Sequence, residues 1–218
     1  VLAHLGAQVC GRVGPDALGG FLDRSTERRH EGVEPLDPAQ IGDGLEHPGA
    51  AINKGELFKV PIVAIAGHPL SGAALGAAEG AYQHVVNVFS KRTGTYTGAK
   101  VADFQAVQIR VAKARALIDS ARYLMRESAL VFQRNPIQDV ETKLRMRTQN
   151  AFAVHQCYDA VETLWACYGA NAIYTRDPLQ RFQRDLQAMK QHFSFNFDIA
   201  GAAFGTVALG GKYANPTL

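Results

Sequence analysis

Residues 103–134 read DFQAVQIRVAKARALIDSARYLMRESALVFQR, and this stretch decides the fold. Apolar side chains recur at steps of three and four through Phe104, Val107, Val111, Ala114, Ile118, Ala121 and Met125. They resume at Phe132 after one double step across Ser128. Arg110, Lys113, Asp119, Arg122 and Glu127 fall between them. A period near 3.6 with charges on the opposite side predicts an amphipathic helix of about thirty residues. Asn135-Pro136 ends it, because the ring of a proline pushes the preceding residue out of the helical region.

The pattern continues in both directions. On the carboxy-terminal side, Leu144, Ala151, Val154, Tyr158, Val161, Leu164, Trp165 and Tyr168 mark a helix from about Gln138 to Tyr168, closed by Gly169. Asp177-Pro178 opens a fourth segment with Asp177 as N-cap. Its stripe is Leu179, Phe182, Leu186, Met189 and Phe193, and after a break it is expected to run to about Leu209. On the amino-terminal side, Pro61 to Arg92 predicts a helix entered through proline and kinked by Pro69, followed by the polar turn Thr93 to Gly98. Its small residues, among them Gly72, Gly76 and Gly80, leave room for another helix or a ligand. Helices of thirty residues are about 45 Å long, and short turns between them require antiparallel neighbours. The predicted class is therefore all-α, an up-down four-helix bundle.

Residues 1–50 differ. They hold nine of the 21 glycines and four of the nine prolines, with polar runs such as Asp23 to His30. The expected division is an irregular segment over 1–50, a candidate remnant of a preceding β-domain, and the bundle over 51–218.

Composition excludes several classes. A net charge of +3 with bases and acids alternating along helices does not form a nucleic-acid face. No apolar run is long enough for a membrane span, and the start Val1-Leu2-Ala3-His4 lacks the pattern of a secretory signal. Three cysteines without a CxxC pair imply reduced thiols and a cytoplasmic location. No metal is expected: within the predicted helices no Glu stands three residues before a His, as a di-iron bundle requires. HExxH, GxSxG, P-loop and GxGxxG patterns are missing too. The seven histidines are scattered.

One further stretch is more specific. Leu164-Trp165-Ala166-Cys167-Tyr168-Gly169-Ala170-Asn171 places small residues at a helix end. A turn follows, and then Pro178-Leu179-Gln180-Arg181-Phe182-Gln183-Arg184-Asp185. With Ala102 to Gln108 and Phe58 to Gly80, this resembles the carboxy-terminal helical domain of acyl-CoA dehydrogenases, over about residues 47–218. The dehydrogenases of that family often carry a Glu-Gly-Thr run after the Arg-Asp pair, the glutamate removing a proton from the thioester. Here the corresponding place reads Gln191-His192-Phe193-Ser194-Phe195.

A histidine there resembles the oxygenase components of two-component aromatic hydroxylases. That resemblance implies reduced FMN or FAD supplied by a separate flavin reductase, and a small aromatic or phenolic substrate. It makes His192 the catalytic candidate, a hydrogen-bond donor toward the flavin's oxygen adduct, with Phe193, Phe195 and Phe197 keeping water away. It also implies cofactor contacts from Arg92 near the phosphates and from the turn Tyr168, Gly169, Ala170 and Asn171. Arg92-Thr93-Gly94-Thr95-Tyr96 departs from the family's usual Arg-x-x-Phe-Gly. A homo-oligomer, dimer or tetramer, is expected. The alternatives are an FAD-dependent acyl-CoA dehydrogenase and a non-catalytic helical fragment that only oligomerises.

Overall fold

The protein is described as a computed structural model over residues 52–60, 65–136 and 138–213; the segment 1–50 and Pro61 lie outside these. Among the described residues five α-helices follow one another: α1 Gly67–Phe89, α2 Gln105–Arg134, α3 Val140–Tyr168, α4 Leu179–Met189 and α5 Phe197–Ala208. Short 3₁₀ turns stand at Glu56–Lys59, Val101–Asp103 and Ala170–Ile173. Among the described residues there is no strand, only one antiparallel bridge between Thr93 and Lys100. The all-α bundle expected from the periodicity is what forms.

Its directions follow from contacts between ends. At the start of α1, the His68 imidazole lies 2.6 Å from Ser128 Oγ, close to the end of α2. At the end of α1, the Phe89 ring stacks on Tyr168, the last residue of α3, with centroids 5.5 Å apart. Helices α1 and α3 therefore run the same way, and α2 runs against both. Helix α4 descends beside α1, since Asp177 meets His84 while Phe195, beyond its far end, meets Gly67. The fourth side of the bundle is α4 followed by α5.

Local chemistry explains the boundaries. Asp139 caps α3, its side chain accepting from Thr142 N at 2.7 Å. Asn196 caps α5 in the same way through Ile199 N. Gly169 ends α3 at φ 86° and ψ −177°, a conformation that essentially only glycine adopts. The residue before α4 is Pro178 rather than Asp177, but Asp177 Oδ1 accepts from Leu179 N, the first residue of the helix, at 2.9 Å.

Three expectations need correcting. The helix expected from Pro61 is interrupted at Ala66, between helical Ile65 and the start of α1 at Gly67; the break thus falls just before Pro69, which sits in the first turn of α1, rather than at the proline itself. Phe104 precedes α2 rather than belonging to it and is 39% exposed, so helical period does not govern where it points. Phe193 falls beyond α4 and is 70% exposed, outside the stripe to which it was assigned.

The core lies between α1, α2 and α3 and is closed by α4. Ile118, Leu144, Leu164, Leu179 and Leu186 are fully buried. Each such side chain contributes about 1.5–3 kcal/mol by leaving water. The small residues of α1 serve this packing: Ala74, Ala78 and Ala81 are fully buried. A Cβ on Gly80 would come within 2.9 Å of Phe182 Cζ. Glu79 ties α1 to α2 through both Arg115, at 2.9 and 2.8 Å, and Arg122.

Candidate functional site

The structure brings together Arg92 and the turn after α3, although 76 residues separate Arg92 from Tyr168. Arg92 is set by the tight loop after α1, in which its carbonyl accepts from Val101 N at 2.9 Å and Gly94 N donates to Ala99 O at 2.8 Å. Its Nη1 donates to the Tyr168 carbonyl at 2.9 Å, and the guanidinium carbon lies 5.9 Å from the Tyr168 ring centre. A cation placed on the last carbonyls of a helix also meets the negative end of its dipole.

Tyr168 itself is only 3% exposed. Its hydroxyl donates to Asp177 Oδ2 at 2.6 Å, so the same oxygen is left to accept from His84 Nε2 at 2.9 Å. His84 Nε2 is also 3.1 Å from Asp177 Oδ1, which assigns the imidazole proton to Nε2. Burial raises the Tyr168 hydroxyl well above its ordinary range, and the Asp177 carboxylate adds to this. Burial would also raise the Asp177 carboxyl, but hydrogen bonds from Tyr168, Leu179 and His84 hold it below the usual carboxylate value. The tyrosine side chain is thus consumed in fixing the turn, and only its backbone neighbours face outward.

Gly169, Ala170 and Asn171 are exposed. Nothing lies within 4 Å of where a Cβ on Gly169 would stand. The N–H groups of Ala170 and Asn171 open a 3₁₀ turn and have no partner within it. Open backbone donors beside a guanidinium can hold a phosphate, so this turn fits the nucleotide side of a flavin.

His192 sits at the other end. It occupies the turn between α4 and α5, exposed, with its carbonyl accepting from Phe195 N at 2.8 Å and Asn196 N at 3.0 Å. Ser194 N donates to His192 Nδ1 at 3.3 Å. A nitrogen that accepts carries no proton, so neutral His192 bears its proton on the outward Nε2. Of the three phenylalanines expected around it, only Phe195 is buried, at 1% exposure, with its ring centre 5.9 Å from the imidazole. Phe193, 4.8 Å from the imidazole between ring centres, is 70% exposed, and Phe197 is 38% exposed, so within this chain they do not enclose His192.

The two candidate clusters are far apart. Phe195 packs against Gly67 and Tyr168 against Phe89, the two ends of α1, and 23 residues of helix span about 33 Å. Near the His192 end, Val60, Ile65, His68, Pro69, Ala129 and Phe132 line an apolar hollow of about 310 Å³. Burial holds the His68 imidazole below its ordinary pKa. Sequence reasoning missed His84, His68 and His155 as parts of these clusters. Their partners stand 93, 60 and 40 residues away, and no local spacing signals that. Among the described residues no group of three or more His, Cys, Asp or Glu could hold a metal ion, and no helix is long and apolar enough to cross a membrane.

The described residues thus form an all-α bundle with open backbone at one end and an exposed imidazole at the other. Comparison with known proteins gives the family. The family described as "Acyl-CoA dehydrogenase, C-terminal domain" matches residues 69–197, and the chain belongs to it. The FADH(2)-dependent resorcinol hydroxylase oxygenase component of Rhizobium sp. (strain MTP-10005) is 31% identical, over 71% of this chain and 41% of its own. The flavin-dependent monooxygenase oxygenase subunit HsaA of Rhodococcus jostii (strain RHA1) is 30% identical, over 76% of this chain and 45% of its own. The crystal structure of 3-HSA hydroxylase from Rhodococcus sp. RHA1 superposes with a TM-score of 0.72 at 26% identity, over 78% of this chain and 45% of that one. The chain therefore spans less than half the length of these relatives.

Proposed function

We propose that the chain is the helical part of an oxygenase component that hydroxylates an aromatic or phenolic substrate, using dioxygen and reduced FMN or FAD from a separate reductase. The observation that carries this is the exposed imidazole of His192, in the turn after α4, with Nδ1 accepting from Ser194 N and Nε2 left to carry the proton. The oxygenase names of the matched relatives support the same reading. Bound reduced flavin supplies the electrons that activate dioxygen. His192 donates from Nε2 toward the oxygen to be transferred and takes up or returns a proton at that atom. Arg92 and the amides of Ala170 and Asn171 hold phosphate. The apolar hollow beside α1 is large enough for one aromatic ring, since engineered cavities of about 150 Å³ bind benzene.

Because about 33 Å of helix separates the turn from the histidine, one chain's turn serves the flavin at another chain's His192, and the working unit is a dimer or tetramer. Light scattering on the protein at micromolar concentration checks this, and a clean monomer overturns the shared arrangement.

Hydroxylated product per dioxygen consumed tests the histidine. His192→Asn, in the protein that carries this chain, should still bind reduced flavin and consume dioxygen while releasing more hydrogen peroxide. Losing one positioned donor costs about 2–4 kcal/mol, roughly thirty- to thousandfold in the coupled rate. An unchanged product-to-oxygen ratio, or a fall in stability with the ratio intact, leaves His192 a purely structural residue.

A further inference from the structure

The turn that carries His192 receives a hydrogen bond from a side chain of another helix. His155, on α3, approaches the Phe195 carbonyl with Nε2 at 3.1 Å. A carbonyl only accepts, so His155 donates and its own proton lies on Nε2. That carbonyl belongs to the Phe195–Asn196 peptide plane, whose N–H donates to the His192 carbonyl at 3.0 Å. The same plane is thus tied on one side to His155 and on the other to the backbone of His192. Between them, Ser194 N reaches His192 Nδ1 at 3.3 Å, a long contact that a small rotation of the turn would break. The His155 ring is itself set among aromatics, 6.1 Å from the Phe197 ring, which lies 6.0 Å from Phe152.

We infer that His155 is the positioning residue for His192: by holding the Phe195–Asn196 peptide it keeps Ser194 N on His192 Nδ1 and so keeps the His192 proton on the outward Nε2. The consequence for oxygen transfer rests on the reading of His192 given above. The positioning itself does not, and can be measured without flavin.

The experiment uses the full 218-residue chain labelled with nitrogen-15, and reads the His192 ring nitrogens by long-range proton–nitrogen correlation at a pH where the imidazole is neutral. Hydrogen exchange of the Ser194 and Asn196 amides is followed in the same samples. The wild-type chain should show His192 with Nε2 protonated and Nδ1 accepting. His155→Phe keeps an aromatic ring but loses the donor, and His155→Asn keeps an amide too short to reach. Both should move His192 toward the tautomer mixture of a free imidazole and speed exchange at those two amides about fivefold, the effect of one lost hydrogen bond. His155→Gln, whose amide nitrogen can take the place of Nε2, should restore both signals.

Wild-type signals in His155→Phe and His155→Asn overturn the proposal. So does exchange accelerated uniformly over α3 and α5 with the His192 signature unmoved, which is what a merely structural role produces. If the signature moves while product per dioxygen stays at the wild-type value, positioning by His155 stands and the catalytic reading of His192 fails.

Discussion

Replacing Asp177 by Asn probes the network that fixes the turn after α3. In the wild-type chain the carboxylate takes Tyr168 Oη at 2.6 Å on one oxygen, and Leu179 N at 2.9 Å and His84 Nε2 at 3.1 Å on the other. An amide offers one acceptor oxygen. If it keeps the place that serves Leu179 and His84, its NH₂ faces the Tyr168 oxygen, and the hydroxyl proton loses the carboxylate to which it donated. The substitution removes one charge-assisted hydrogen bond and the attraction to the imidazole edge, with the side chain only 15% exposed. Together these are expected to cost about 2–3 kcal/mol.

The pH dependence follows from the sign of the shift. The folded Asp177 carboxyl lies below its unfolded value, so its contribution is complete above about pH 4 and is lost as pH falls through the folded value. Urea unfolding followed by circular dichroism at pH 7 should show the loss as a lower midpoint with an unchanged slope. As pH falls below about 4 and through the lower folded value, the two proteins should converge. A loss under about 0.5 kcal/mol at pH 7, or a difference that persists at low pH, refutes the account of the network.

Gly169→Ala is expected to destabilise by about 1–3 kcal/mol although nothing lies within 4 Å of the new methyl, because φ of 86° with ψ of −177° strains any residue with a Cβ. The same urea measurement checks it, and a neutral effect would mean that the turn relaxes to another conformation. In α1, Gly72→Ala meets open space and should stabilise by about 0.5–1 kcal/mol through helix propensity. Gly80→Ala gains the same propensity but drives Cβ to 2.9 Å from Phe182 Cζ, and overpacking of about 1–3 kcal/mol should make it neutral or worse. Equal midpoints for the two alanine variants would count against close packing of α1 on α4.

The helices were legible because each declares itself locally. The spacing of Val107, Ala114, Ile118, Ala121 and Met125 predicts the buried face of α2, and all five are buried. Glycine at 169 and aspartate at 177 announce a helix end and a helix start through their own backbone chemistry. Errors fell where local rules do not reach. Phe104 and Phe193 continue an apolar spacing past the helix to which it applied, and the break expected at Pro69 falls at Ala66 instead.

For the candidate site, the sequence alone determined which residues are candidates, since an imidazole at 192 and small residues after Tyr168 are visible without coordinates. Only the tertiary structure decided what those residues are free to do. It spends the Tyr168 hydroxyl on Asp177 and His84, places Arg92 on a helix end, leaves Phe193 mostly exposed and sets Phe197 against Phe152 and His155 rather than His192. It also sets His192 about 33 Å of helix away from the turn. The physical reason is that hydrogen bonds and packing join residues 40 to 93 positions apart. Such closures depend on how whole helices stack, and no window of sequence contains both partners.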